Sequence, residues 1–214
     1  MTDDNARMNT PKFLYFDLGK VLVDFSIERM VDQIAEAAGT EPDRVREVLF
    51  RGELQRQVET GAISTDEFYE AFCRRTRTRA APERLLAAFN EIFELNLDVV
   101  PVVAQLAAAG WPMGILSNTG EAHWQYCVER FRMLTDGPFS VHVRSYEVGA
   151  MKPDAAIFRA AAERAGVEPR EIFYTDDMPG HVEGARAAGF DAVTYTSTPE
   201  LVAQLRKRGV RFNY

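Results

Sequence analysis

The hydrophobic positions of this chain follow two patterns. Short apolar runs of strand length stand near the N-terminus and again in the C-terminal half, where they alternate with amphipathic helical segments. These runs predict strands at residues 12–16, 112–117, 139–143, 171–175 and 190–195. Strands that alternate with helices are typical of a parallel sheet covered by helices on both faces. The sequence therefore predicts an α/β fold with a doubly wound parallel sheet.

The segment that follows the first strand has a helical pattern instead. Ser26 and Ser64 each precede an apolar stripe of helical period, and Ser64 with Glu67 has the spacing of a capping box. Pro42 and Pro82 stand where prolines commonly open helices. We therefore predict a helical cap without strands, inserted after the first strand. The predicted division is an α/β core at residues 12–24 and 96–214, a helical cap at 25–95 and a flexible tail at 1–11.

Composition narrows the classes of partner. The 214 residues are 46% hydrophobic and carry a formal net charge of −7, which argues against nucleic-acid binding. The polar, acidic start resembles neither a signal peptide nor a membrane anchor, and no apolar run approaches the roughly 18 residues of a membrane span. Two cysteines far apart favour a reducing, cytoplasmic location. We expect no nucleic-acid or membrane partner, and a monomer or homodimer.

Polar side chains stand where three of the predicted strands end. Asp17 follows the first strand, Ser117 ends the second, and the adjacent pair Asp176 and Asp177 follows the fourth, while Lys152 lies in a loop before a helix. The carboxyl ends of parallel strands share one edge of a sheet, so these side chains are expected to converge. Neighbouring carboxylates repel without a cation, and hard oxygen ligands favour Mg²⁺. This pattern predicts that Asp17 attacks phosphorus and that the resulting aspartyl-phosphate is hydrolysed.

The four polar sites resemble the four motifs of the haloacid dehalogenase superfamily. Asp17 in FDLGKVLVD is similar to the nucleophile motif, Ser117 in LSNT to the phosphate-binding motif, and Lys152 in MKP to the lysine motif. Asp176 and Asp177 resemble the acidic pair of the fourth motif. The nearest likeness is to sugar phosphatases of the glucose-1-phosphate phosphatase kind with a helical cap. The resemblance implies a Rossmann-like core and a cap inserted after the first motif.

The resemblance also implies roles for individual residues. Asp17 and Lys152 are the expected catalytic residues. The expected phosphate-binding residues are Ser117, Asn118 and Lys152. The expected Mg²⁺ ligands are Asp17, the Gly19 carbonyl and Asp177, with Asp176 either a ligand or a group behind one.

Three positions depart from the superfamily pattern. Most phosphatases of the superfamily carry an acid two residues after the nucleophile, where this chain has Gly19, which has no side chain to move a proton. Lys20 is either a solvated side chain or a replacement cation or proton donor near the cleft. His181 either binds Lys152 or an acid, or lies on a helix surface. Charged cap residues that are candidates to line the cleft are Arg51, Glu53, Arg56 and Glu59.

The sequence predicts a Mg²⁺-dependent phosphatase that hydrolyses a small phosphorylated metabolite, in particular a sugar phosphate, through an aspartyl-phosphate. Two alternatives stay open. In a 2-haloacid dehalogenase, the aspartate attacks carbon without a metal. A catalytically silent phosphate-binding protein keeps the pocket without turnover, which Gly19 and Lys20 motivate.

Overall fold

A computed structural model describes residues 10–135 and 137–214, and in these ranges five strands form one parallel sheet. Two further short strands pair with each other. The strands are β1 (Phe13–Phe16), β2 (Val23–Phe25), β3 (Phe93–Leu95), β4 (Met113–Ser117), β5 (Phe139–Arg144), β6 (Ile172–Asp176) and β7 (Asp191–Thr194). The sheet order is β5–β4–β1–β6–β7, so the chain reverses its direction of winding between β1 and β6. Residues 1–9 of the predicted tail lie outside the described residues.

The helices begin and end where local chemistry dictates. The Ser26 hydroxyl accepts a hydrogen bond from the Arg29 N–H, and Ser64 with Glu67 forms the predicted capping box. The helices are α1 (Ile27–Ala38), α2 (Pro42–Arg46), α3 (Leu54–Glu59), α4 (Thr65–Thr76), α5 (Pro82–Asn90), α6 (Val100–Ala108), α7 (Glu121–Arg130), α8 (Ser145–Val148), α9 (Ala155–Ala165), α10 (Pro179–Ala187) and α11 (Thr198–Lys207). A π-helical turn, Glu47–Arg51, extends α2. None of the helices in the described ranges has the length and apolarity to cross a lipid bilayer.

Both faces of the five-stranded sheet are covered by helices. One apolar cluster joins β1 and β4 to α6, α7 and α11, and a second joins β1 and β6 to α9 and α10. Side chains alternate between the faces along each strand, so Leu14 and Phe16 enter the first cluster, whereas Phe13 and Tyr15 enter the second. The predicted α/β fold with a doubly wound sheet is confirmed.

The segment between β2 and β3 has a separate apolar core. Helices α1 to α5 bury a third cluster among themselves, which includes Ile34, Leu49 and Phe72. The expectation that this insertion has no strands is wrong, because β2 and β3 pair antiparallel at its two ends. Each of these strands has only three residues, too few to show an alternating pattern in the sequence. The division into core and cap at the predicted residue boundaries stays a prediction.

Strand register brings the polar strand ends together. Phe16 of β1 lies beside Thr175 of β6, and the Asp17 N–H donates to the Thr175 carbonyl at 2.9 Å. The residue after each, Asp17 and Asp176, therefore occupies the same level at the carboxyl edge. This edge lies at the switch point between β1 and β6, where open α/β sheets bind their ligands.

Gly114 in β4 provides a test of how tightly the sheet is packed. A Cβ at this position would lie 2.5 Å from Tyr15 Cε1 and 2.8 Å from the Val141 carbonyl oxygen. We expect Gly114→Ala to lower the free energy of unfolding by roughly 1–3 kcal/mol, since a close-packed interior resists an added methyl group. Gly180→Ala is the control, because nothing lies within 4 Å of its Cβ position. Urea unfolding that shows equal stability for both variants would contradict this packing.

Candidate functional site

Lys152 lies at the centre of the polar strand ends, fully buried. Its Nζ atom lies 2.8 Å from Asp17 Oδ1 and 2.7 Å from Asp176 Oδ2. It also donates to the Leu116 carbonyl at 3.1 Å and to the Tyr174 hydroxyl at 2.9 Å. One ammonium group therefore joins the ends of β1, β4 and β6. The structure brings together three of the side chains that the sequence predicted.

Burial and charge act on these three groups in different directions. Burial raises the pKa of Asp17 to about 7, and the Asp176 charge adds to this while Lys152 opposes it. Burial also works to raise the pKa of Asp176, but Lys152, His181 and Tyr174 outweigh it, so this pKa is lowered. Burial lowers the pKa of Lys152, yet both carboxylates reverse the effect and raise it overall. The cluster therefore keeps Lys152 and Asp176 charged.

Asp176 is held from several sides. Besides Lys152, it accepts hydrogen bonds from the Tyr174 hydroxyl, from the Met178 N–H at 2.8 Å and from His181 Nδ1 at 3.1 Å. The hydrogen bond from His181 to an acid was one of the two alternatives for this residue, and the structure contains it. Sequence reasoning missed Tyr174. This residue lies two positions before Asp176 on β6, so the two side chains are on the same face of the strand. Asp176 is thus fixed in orientation.

One carboxylate oxygen of Asp17 is hydrogen-bonded, and among the described residues the other is not. Its Oδ1 atom accepts from both Lys152 and the Leu18 N–H, which lies 2.7 Å away. Across the described residues, no hydrogen bond uses Asp17 Oδ2 or the Gly19 carbonyl oxygen. The carboxylate is therefore oriented through one oxygen while the other keeps its lone pairs.

The loop after β4 provides the other predicted groups. Ser117 is buried, and its hydroxyl donates to the Asn118 carbonyl at 3.3 Å. The Asn118 side chain binds the Lys152 backbone at both ends, donating to its carbonyl at 3.0 Å and accepting from its N–H at 2.8 Å. Asn118 thereby fixes the loop that carries Lys152. The amide nitrogen keeps a second N–H, so this group and the backbone N–H are the candidate phosphate contacts of Asn118.

Groups that can bind a metal ion gather at the same edge. Asp17 and Asp176 each offer a carboxylate oxygen and His181 offers a ring nitrogen, and these atoms lie within 4.8 Å of one another. Asp177 is next along the chain and half-buried, and burial together with the Asp176 charge raises its pKa. Carboxylates with a free Gly19 carbonyl form the kind of donor set that a hard divalent cation prefers. The residues present therefore fit the expected Mg²⁺.

An aromatic ring occupies the space beside Gly19 that a side chain at this position would need. A Cβ on Gly19 would lie 2.8 Å from Phe25 Cε1, so the ring fills this space. Lys20 holds the ring's residue in place, since its Nζ donates to the Phe25 carbonyl at 2.6 Å and lies 4.9 Å from the ring centroid. An exposed ion pair at 3.6 Å joins Lys20 to Asp24. Lys20 therefore binds β2, and sequence reasoning missed the role of Phe25.

A cavity of about 80 Å³ lies between this edge and the cap helices. Core residues on its wall include Gly19, Ser117 and Asn118, and the cap contributes Gln55 and Glu59. Of the four charged cap candidates, Glu59 lines this cavity, whereas the other three do not line it. Sequence reasoning missed Gln55, because a single glutamine on a helix carries no signal.

The chain is similar in sequence to a known hydrolase family and to two named phosphatases. The family model described as haloacid dehalogenase-like hydrolase matches residues 11–189. The chain is 30% identical over 165 residues to a glyceraldehyde 3-phosphate phosphatase of Methanopyrus kandleri, covering 73% of this chain and 69% of the relative. It is 25% identical to a D-ribitol-5-phosphate phosphatase of Bacteroides thetaiotaomicron, covering 92% and 95%.

A solved structure shares the fold. It is a HAD family enzyme from Bacteroides thetaiotaomicron in a magnesium complex, 25% identical, with a TM-score of 0.81. The superposition covers 92% of this chain and all (100%) of that chain. The likeness extends over both the sheet and the inserted helices.

The contact between Gly19 and Phe25 predicts a non-additive pair of substitutions. We expect Gly19→Ala to lower the free energy of unfolding by roughly 1–3 kcal/mol, because the added methyl group overlaps the ring. The same substitution in a Phe25→Ala background should cost less than about 0.5 kcal/mol. A double-mutant cycle measured by urea unfolding tests this, and additive costs would contradict the contact.

His123 predicts a pH-dependent stability. Its ring stacks on the Phe89 ring, with 4.0 Å between the ring centroids. Burial lowers the pKa of His123 to about 4, although its hydrogen bond with the Phe89 carbonyl acts in the opposite direction. The unfolded chain binds this proton near pH 6.5, so stability is lost as the pH falls below that value. From about pH 7 to pH 5, the parent should lose about 2 kcal/mol more than His123→Gln.

Urea unfolding of both proteins at the two pH values measures this difference. His142 is common to both proteins and cancels in the comparison. Parallel losses in the parent and the variant would show that His123 is not buried in its neutral form.

Proposed function

Because this chain belongs to the haloacid dehalogenase-like hydrolase family, we propose that it is a Mg²⁺-dependent phosphatase of a small sugar phosphate. The observation that carries the proposal is the single buried Lys152 ammonium between Asp17 and Asp176. It orients a carboxylate through one oxygen and leaves the other available for attack. Family membership establishes a hydrolase, and the arrangement of these groups supports phosphorus as the atom attacked.

The proposed site residues divide into three tasks. Asp17 is the nucleophile, and Lys152 positions it and neutralises charge on the phosphoryl group. Ser117 and the Asn118 N–H bind phosphate oxygens. The proposed metal ligands are Asp17, the Gly19 carbonyl and Asp177, while Asp176, already bound by Lys152 and His181, lies behind them. Mg²⁺ bound there supplies positive charge that offsets the repulsion between carboxylate and phosphate.

The reaction proceeds through two displacements at phosphorus. Asp17 attacks the phosphoryl group, the bond to the leaving oxygen breaks, and an aspartyl-phosphate forms. Water then attacks the same phosphorus, and the Asp17 carboxylate is released with inorganic phosphate. Lys152 lies against Asp17 Oδ1, so the carboxylate has a charge partner while it is ionised, before the first step and after the second.

The substrate class rests on the relatives and on the size of the cavity. Relatives named as phosphatases act on glyceraldehyde 3-phosphate and D-ribitol 5-phosphate. The cavity of about 80 Å³ holds only a small group, and its wall mixes apolar Phe25 and Ile92 with polar Gln55 and Glu59. This lining suits the mixed surface of a short polyol or sugar.

Incubation of the purified protein with Mg²⁺ and a panel of sugar and polyol phosphates tests the proposal. We expect phosphate release that EDTA abolishes and that Asp17→Asn lowers by about 10³-fold or more, since the variant lacks the nucleophile. Asp43→Asn is the control, because the Asp43 side chain is fully exposed on the cap. A parent enzyme no faster than Asp17→Asn on every substrate would refute the phosphatase.

Two other results would identify the alternatives. Halide release from a 2-chloroalkanoate, unchanged by EDTA, would instead indicate a dehalogenase. Vanadate binding without turnover of any substrate would indicate the catalytically silent phosphate-binding protein.

A further inference from the structure

The position two residues after Asp17 has no proton carrier, because it is Gly19. The leaving oxygen of an alkyl phosphate departs as a strong base unless a proton reaches it. Gly19 occupies the position where most phosphatases of the superfamily carry an acid, and the Phe25 ring closes the space beside it. Of the other titratable groups on the cavity wall, His123 is a poor proton carrier near neutral pH because burial lowers its pKa to about 4, so the proton is expected from the cap side.

Glu59 is the carboxylic acid on the opposite wall. It ends α3 and lines the same cavity as Gly19, Ser117 and Asn118. The positive charges of Lys152 and His181 act to lower its pKa, so Glu59 lies within electrostatic range of the groups that hold Asp17. Burial raises the pKa of Glu59 above its ordinary value, the direction that a proton donor near neutral pH requires.

The position of Glu59 is fixed by close contacts on either side of it. Val58 packs against Gly120 so closely that a Cβ on the glycine would overlap the valine side chain. Gly61 packs in the same way against the Tyr146 carbonyl. Two glycines of the chain thus let the end of α3 approach the core. Glu59 lies between these two contacts.

Gln55 lies one helical turn before Glu59 and orients the Glu59 carboxyl group. Its Nε2 atom donates to Glu59 Oε1 at 2.7 Å. In the described part of the chain, Gln55 Oε1 is buried and has no hydrogen-bond partner. A buried acceptor of this kind needs a donor, and a hydroxyl group of the bound leaving group supplies one. The cap side of the cavity is therefore built to meet a hydroxylated leaving group.

We propose that Glu59 is the catalytic acid and base of the reaction, the role that Gly19 cannot perform; this inference rests on the proposed phosphatase function. In the first step the P–O bond breaks, its electron pair goes to the leaving oxygen, and that oxygen takes the proton of Glu59. In the second step water attacks the aspartyl-phosphate and gives a proton to the Glu59 carboxylate. The electron pair of the broken P–O bond returns to Asp17, and Glu59 ends protonated as it began.

The test compares leaving groups that differ in their need for a proton. Glycerol 2-phosphate releases an alkoxide unless it is protonated, whereas 4-nitrophenyl phosphate releases a stable anion. Glu59→Gln should lower kcat/KM for glycerol 2-phosphate by roughly 100-fold or more and for 4-nitrophenyl phosphate by less than about fivefold. The second step also slows, so the variant should release one equivalent of nitrophenol in a burst before a slow steady state.

Glu53→Gln is the matched control, since Glu53 is exposed at the start of the same helix and does not line the cavity. It should keep both activities. Equal losses on the two substrates, or no loss on either, would overturn the role of Glu59 while the phosphatase stands. A parent that hydrolyses neither these two substrates nor any sugar or polyol phosphate of the panel would overturn the phosphatase and the role together; a panel sugar phosphate that is turned over replaces glycerol 2-phosphate in the comparison. Activity of the variant on 4-nitrophenyl phosphate also shows that it folds.

Discussion

The site depends on one buried ammonium group placed between two carboxylates. Asp17 and Asp176 stand at neighbouring strand ends in the interior, where like charges repel strongly because water does not screen them. Lys152 offsets this repulsion and is itself kept charged by it, although burial opposes the charge. Loss of Lys152 leaves two buried carboxylates unpaired, which is far costlier than loss of the whole group, whereas loss of either carboxylate leaves a matched pair. The ends of β1, β4 and β6 are therefore coupled through a single side chain.

The core of the site could be predicted from sequence because strand ends are positions that a linear pattern reveals. In a parallel sheet, residues far apart along the chain lie side by side at the carboxyl edge. Once the strands are identified, Asp17 and Asp176 are therefore predicted to be neighbours. Lys152 was recognisable from its motif, but its four contacts were not, because they depend on the loop that Asn118 fixes. The strands β2 and β3 escaped prediction because three residues hold less than two periods of alternation.

Features on the cap side could not be read from sequence for a different physical reason. Which helical residues reach the cavity depends on how closely α3 approaches the core, and that distance is set by the absence of side chains at Gly61 and Gly120. Glycine in a sequence indicates a turn or flexibility far more often than a close approach of two segments. Among four charged candidates, only three-dimensional packing separated Glu59 from the other three.

The ring that lies against Gly19 has a consequence for how this chain can change over evolutionary time. An ancestor or descendant with an acid at position 19 must accommodate its side chain where Phe25 now stands, and Phe25 is in turn held by Lys20. A single codon change at position 19 therefore leads through a poorly packed intermediate.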